Sequence, residues 1–135
     1  MCKVTVVDSP CGYGKTSWAI QMMDTMEFER FMYITPIIPE VKRVKNSCNR
    51  VFKEPDEKQG KGSKRNHFYN LVKEGHDIVS THALFRGVNK EVKDTIKEME
   101  YILTVQMKIC VVFHGKKHFI LIIILIIILQ KLNFQ

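Results

Sequence analysis

The stretch Asp8–Ile20, "DSPCGYGKTSWAI", follows directly on the apolar run "KVTVV" of Lys3–Val7. The run has the β-branched, apolar character of a buried strand, predicted over Lys3–Asp8. Ser9–Thr16 then carries a proline and two glycines, which punctuate a loop. Lys15–Met26 restores a helical pattern, with Trp18, Ala19, Met22, Met23 and Met26 available for its apolar faces. A glycine-spaced loop closing on Lys-Thr, between a strand and a helix, has the local form of a phosphate cradle.

The chemistry gives each position a reason. The pattern G-x-x-x-x-G-K-[ST] is met by Ser9, Pro10, Cys11, Gly12, Tyr13, Gly14, Lys15 and Thr16, with serine at the first position, and Ser17 follows in the helix. Gly12 and Gly14 allow backbone N–H groups to turn inward around phosphate oxygens with no Cβ in the way. Lys15 brings a point charge to the outer phosphates, and Thr16 offers a hydroxyl to Mg²⁺. The helix that follows directs its positive end at the same anion. Cys11 and Tyr13 read as variable loop positions, and Asp8 as a strand-end residue.

The rest of the chain alternates in the same way. "RFMYITPII" predicts a strand over Phe31–Thr35 stopped by Pro36, and "PEVKRVKNSC" a helix with Pro39 in its first turn. Arg50–Lys53 reads as a short strand, Asp56–Asn66 as a charged loop, and His67–Glu74 as a helix closed by Gly75. Asp77–Thr81 is a strand. "NKEVKDTIKEME" is a surface helix with Val92, Ile96 and Met99 on one face, and "YILTV" opens a further strand. Alternating strands and helices argue for an α/β domain with a mainly parallel sheet, whose ligands sit at the carboxyl ends of the strands.

Length and composition bound the reading. A chain of 135 residues makes one modest domain, small for a complete nucleotide-driven motor. Lys and Arg number 21 against 14 Asp and Glu, a net charge of +7 with a pI near 9.3. That balance favours an anionic partner, although it speaks only to association and solubility. Cys2, Cys11, Cys48 and Cys110 lack metal-ligand spacing and read as free thiols in a reducing, cytoplasmic setting. The N-terminus lacks the features of a signal peptide. Phe119–Leu129, "FILIIILIIIL", is unbroken apolar sequence, yet as a helix it would cover only about half of a ~30 Å hydrocarbon core. No membrane span is expected; the run reads as a core strand or an aggregation-prone tail.

Three segments together resemble the first lobe of superfamily 2, DEAD/DEAH-like helicases and translocases of bacterial or phage type. The loop matches that family's small-Pro-x-Gly-x-Gly-Lys-Thr opening. "YITPII", residues 33–38, is similar to its strand ending in a Thr-Pro turn, and "DIVSTHALF", residues 77–85, to the segment ahead of its acidic strand. The resemblance covers residues 3 to about 105. It implies a RecA-like P-loop NTPase fold, here incomplete, that binds ATP and Mg²⁺ and serves a nucleic-acid motor. By position, Ser9–Ser17 would hold nucleotide, Thr16 the metal, and Thr35, Pro36, Ser80, Thr81 and His82 would face nucleic-acid phosphates without reading bases. Plainer readings stand beside these: a strand terminator at Thr35-Pro36, a helix-capping or core histidine at His82, and a solvated loop at Lys61, Lys64 and Arg65.

The pattern breaks after Glu100. The family's next strand ends in Asp-Glu, which holds the metal shell and orients the attacking water. This chain continues "VQMKICVVFHGKKHF" into the isoleucine run, with no acidic side chain after Glu100. The codons of Gln106–Ile109, read two bases out of frame, spell Asp/Asn-Glu-Asp/Asn. The expectation is a helicase lobe over residues 1–104 and an anomalous, out-of-frame tail over 105–135. Such a chain would bind ATP without hydrolysing it. Two other classes fit less of the sequence: a small single-domain kinase or phosphotransferase, and a non-enzymatic nucleotide binder with an apolar C-terminal anchor.

Overall fold

A computed structural model describes the backbone of residues 2–10, 15–113 and 119–131, and the side chains of residues 16–106. The order is β1 (Cys2–Pro10), α1 (Lys15–Thr25), β2 (Arg30–Thr35), α2 (Ile38–Ser47), β3 (Phe52–Lys53), α3 (Lys64–Glu74), β4 (Asp77–Thr81), α4 (His82–Arg86), α5 (Lys90–Glu98), β5 (Tyr101–Phe113) and β6 (Phe119–Lys131). The sheet order is β1-β6-β5-β2-β4-β3. β5, β2, β4 and β3 are mutually parallel, with Tyr33 opposite Val79 on one side and Thr104 on the other. β6 is antiparallel to both β5 and β1. β1 therefore runs in the same direction as the four parallel strands, and its end points to their carboxyl side.

Residue alternation along the central strands divides the core in two. Phe31 and Tyr33 of β2, Val79 of β4 and Ile102 of β5 pack with Ala19, Ile20 and Met23 of α1 and Val41 and Val44 of α2. Met32, Ile34, Ile78 and Tyr101 pack on the opposite face with Phe68, Leu71 and Val72 of α3 and Val92 and Ile96 of α5. Strands covered on both faces need near-continuous apolar sequence, which "FMYI" and "IV" supply. The helices obey one further rule. Those carrying the chain toward β3 (α1 and α2) share one face, while those returning it toward β5 (α3, then α4 and α5) share the other. A single crossover hand requires that division.

The α/β alternation expected from the sequence is present, with local differences. α3 begins at Lys64 rather than His67, because the Ser63 hydroxyl caps it by accepting the Asn66 N–H at 3.4 Å. "HALFR", to which the sequence reading gave no element of its own, forms the short helix α4, capped by Thr81 rather than His82: the Thr81 hydroxyl accepts the Leu84 N–H. β3 shrinks to two residues at the sheet edge, and β1 extends through Ser9 and Pro10. The division drawn at residue 104 falls inside β5, and the apolar run forms the strand β6 between β5 and β1. Among the described residues, no helix is long and apolar enough to cross a membrane.

Candidate functional site

Polar groups concentrate where β2 and β4 end at Thr35 and Thr81, level with Gln106 in the middle of β5. Ser9 and Pro10 end β1; Cys11, Gly12, Tyr13 and Gly14 lie outside the described residues; Lys15, Thr16 and Ser17 open α1. Thr16 is buried. Its side chain lies beside the phenol of Tyr33, a residue of β2 with no solvent exposure. Burial, then the Glu40 carboxylate, push the Tyr33 hydroxyl well above its ordinary titration range, so it stays a proton donor.

The Tyr33 hydroxyl donates to Gln106 Oε1 at 3.2 Å, and the Thr35 hydroxyl donates to the same oxygen at 2.8 Å. Thr35 Oγ1 in turn accepts the Ile37 N–H at 3.2 Å, which ties the chain as it turns from β2 toward α2. His82 Nε2 meets the Gln106 carbonyl oxygen at 2.7 Å, an arrangement that requires the proton on Nε2. On the α2 side, Arg43 donates to Ser17 Oγ at 2.9 Å and pairs with Glu40 at 3.6 Å. Three buried polar atoms have no hydrogen-bond partner among the described residues: Glu40 Oε2, Thr104 Oγ1 and Gln106 Nε2. Gln106 and the Thr16–Tyr33 pair thus belong to one cluster.

The residues singled out from the sequence occupy different settings. Thr35 is fully buried and engaged with Gln106, leaving Pro36 as the exposed member of that pair. Ser80 is buried, Thr81 caps α4, and His82 is half-buried against β5. The Arg65 guanidinium lies flat on Gly87, so close that a Cβ there would come within 2.5 Å of it. That contact brings the basic segment Lys61–Arg65 to the end of α4, next to exposed Arg86. Sequence reasoning missed Tyr33, Glu40, Arg43 and Gln106 as members of the site. The available signal was Gln106 itself, a polar residue closing the apolar run "YILTV".

A concavity of about 970 Å³ lies away from this cluster, along the β3 edge, and is lined by Lys45, Lys53, Glu54, Lys58, His67 and Glu74, among others. Its charges are of both signs, and Lys45 pairs with Glu54 at 3.5 Å across it. His67 Nδ1 accepts the Asp56 N–H at 2.7 Å and serves to hold the loop. The described residues contain no cluster of side chains able to hold a metal ion.

The chain is 40% identical over 108 aligned positions to an uncharacterized, SPbeta prophage-derived protein, YonV, of Bacillus subtilis. The alignment covers 76% of this chain and 26% of the relative, so the chain spans about a quarter of the length of the curated protein it matches. No protein-family description matches the chain, and no solved structure matches it.

Proposed function

We propose that this chain is the nucleotide-binding front of an ATP-driven nucleic-acid motor of the superfamily 2 type. The observation that carries the reading is the buried Thr16 at the head of α1, directly after the Ser9–Lys15 loop sequence and beside the polar cluster at the carboxyl end of a parallel sheet. Two features favour an anion there: the N-terminus of α1 and, by sequence, the lysine at position 15 that opens the helix. Gly12 and Gly14 would supply backbone N–H groups, Lys15 charge, and Thr16 a hydroxyl to Mg²⁺. Bound ATP supplies the phosphoanhydride whose cleavage drives motion in such motors. β5 brings Thr104, Val105 and Gln106 to the cluster rather than the Asp-Glu pair that such motors carry on this strand, so in this reading the chain holds ATP without turning it over.

Nucleic acid would lie along Pro36, Thr81 and the basic corner of Lys61, Lys64, Arg65 and Arg86, where exposed cations meet a phosphate backbone. The greater length of the Bacillus relative leaves room for a second lobe, and its prophage origin is in keeping with the phage-type resemblance.

The sole tryptophan, Trp18, stands three residues beyond Lys15 on α1 and is 41% exposed. Titrating the chain with ATP and Mg²⁺ is expected to change Trp18 fluorescence saturably, with no phosphate released. Lys15→Ala is expected to weaken that response at least about tenfold, the scale of one strong charged contact. A folded chain that gives no response at millimolar ATP would rule the reading out.

A further inference from the structure

Gly87 ends α4 at φ −85° and ψ 0°, right-handed backbone that side-chain-bearing residues also adopt. The turn itself requires no glycine, and the reason for one is a neighbour. A Cβ at Gly87 would stand 2.5 Å from Arg65 Nη2 and 2.9 Å from its Cζ and Nε. The guanidinium of Arg65, from the first turn of α3, thus rests against bare backbone at the end of α4. Among the described residues, no ion pair engages Arg65, nor Lys61, Lys64 or Arg86. Arg65 is exposed, with its fork held in place and its charge unspent.

Cations gather around this contact. From Lys58 to Lys73 the chain has no acidic residue, and Lys61, Lys64, Arg65 and Arg86 are all exposed. Lys64 and Arg65 also stand in the first turn of α3, where like charge is repelled by the positive end of the helix. An anion would relieve that repulsion. Its class follows from what the corner lacks. The large exposed apolar side chains among the described residues, Trp18, Phe28, Ile38 and Val51, belong to other segments. A protein partner is held by apolar and aromatic anchors, whereas a planar fork beside spaced lysines matches successive phosphates of a nucleic-acid strand. We propose that Gly87 is a positioning residue for nucleic-acid binding: having no Cβ, it seats the Arg65 guanidinium as the phosphate fork of a surface completed by Lys61, Lys64 and Arg86. This rests on the nucleic-acid part of the reading above and adds how that surface is ordered. A guanidinium seated in advance loses less rotamer freedom on binding.

The test is fluorescence anisotropy of labelled single-stranded DNA and RNA of mixed sequence, titrated with the full chain over a salt series and without ATP. The proteins are wild type, Arg65→Gln, Gly87→Ala and the double variant. Arg65→Gln is expected to weaken binding about tenfold and to reduce the salt dependence of log affinity by about 0.7, one single-strand phosphate. Gly87→Ala keeps every charge and displaces only the far end of an exposed side chain, so its melting temperature is expected to match that of wild type. It is nevertheless expected to weaken binding about threefold or more, and to add nothing once Arg65 is gone. Should folded Gly87→Ala bind like wild type, or weaken binding equally in the Arg65→Gln background, the inference falls. Polyglutamate that displaces the labelled strand as well as unlabelled nucleic acid of equal charge would assign the surface to acidic polypeptides and overturn it. Should wild type bind neither strand at about 50 mM salt, the nucleic-acid reading itself falls and takes this inference with it.

Discussion

Single residues in this protein are distinguished by whether their polar atoms find partners. Thr104 is fully buried beside the Gln106 position on β5, and its hydroxyl has no partner among the described residues. Valine has nearly the same shape and no polar group, so Thr104→Val is expected to raise stability by about 1 kcal/mol. Urea unfolding decides this: a lower midpoint at unchanged slope would mean that the hydroxyl is satisfied. Cys48 shows the opposite condition. Its thiol donates to Asp24 Oδ1 at 2.9 Å, and burial followed by that bond push it up to about 12. It is thereby kept as a thiol and is inert, which no feature of its sequence neighbours announces.

At the scale of elements, ends matter more than interiors. Ser63 and Asn89 cap α3 and α5 with side-chain oxygens, and Gly75 closes α3 at φ +77°, with its N–H on Val72 O and the His76 N–H on Leu71 O. A Cβ at Gly75 would meet the flexible tips of Arg30 and Met99 at 3.2 and 3.3 Å, which can yield, so the backbone conformation dominates the cost. Gly75→Ala is expected to lower stability by about 1 kcal/mol, read as a fall in melting temperature. No change would show that the turn relaxes out of the left-handed region. The two ends of α3 differ in legibility: the Gly75 stop was read from the sequence, whereas the Ser63 cap was passed over inside a charged loop.

At the scale of the whole molecule, Arg50 joins α1, the turn that follows it, β2 and β4. Its guanidinium bonds both Asp77 oxygens at 3.1 and 3.2 Å and the carbonyls of Met23, Met26 and Glu29, while lying 5.0 Å over the Phe31 ring. Asp77 also accepts the Phe31 N–H. Arg50→Met would strand a largely buried carboxylate, and a loss of about 3 kcal/mol is expected in chemical denaturation. A loss under about 1 kcal/mol would place the pair with exposed ion pairs instead. High pH acts on the same folded unit. Cys48, Tyr33 and Tyr101 all titrate above their ordinary values of 9.0, 10.0 and 10.0, each chiefly through burial. Their contribution is complete below those values and is lost as pH rises, because the unfolded chain releases its protons first. The urea midpoint is expected to be level with respect to these groups up to about pH 8 and to fall progressively from pH 9 through 11. A midpoint that holds through pH 11 would contradict the burial of all three.

By itself, the sequence determined what is local. Strand and helix periods, the Pro36 stop, the Gly75 closure and the strand–loop–helix opening are each written within a few neighbouring residues, so the α/β class was legible and the loop marked one end of the sheet. Tertiary structure alone decided what joins distant segments. Gln106 stands 71 and 73 residues from the hydroxyls that orient it, Arg50 lies 27 from its carboxylate, and β6 enters between β1 and β5 from the far end of the chain. Such partners are chosen by sheet register and by which face each strand residue takes. Alternation along one strand says which of its residues share a face, but not which strand lies beside it, and only closing the sheet brings such partners together.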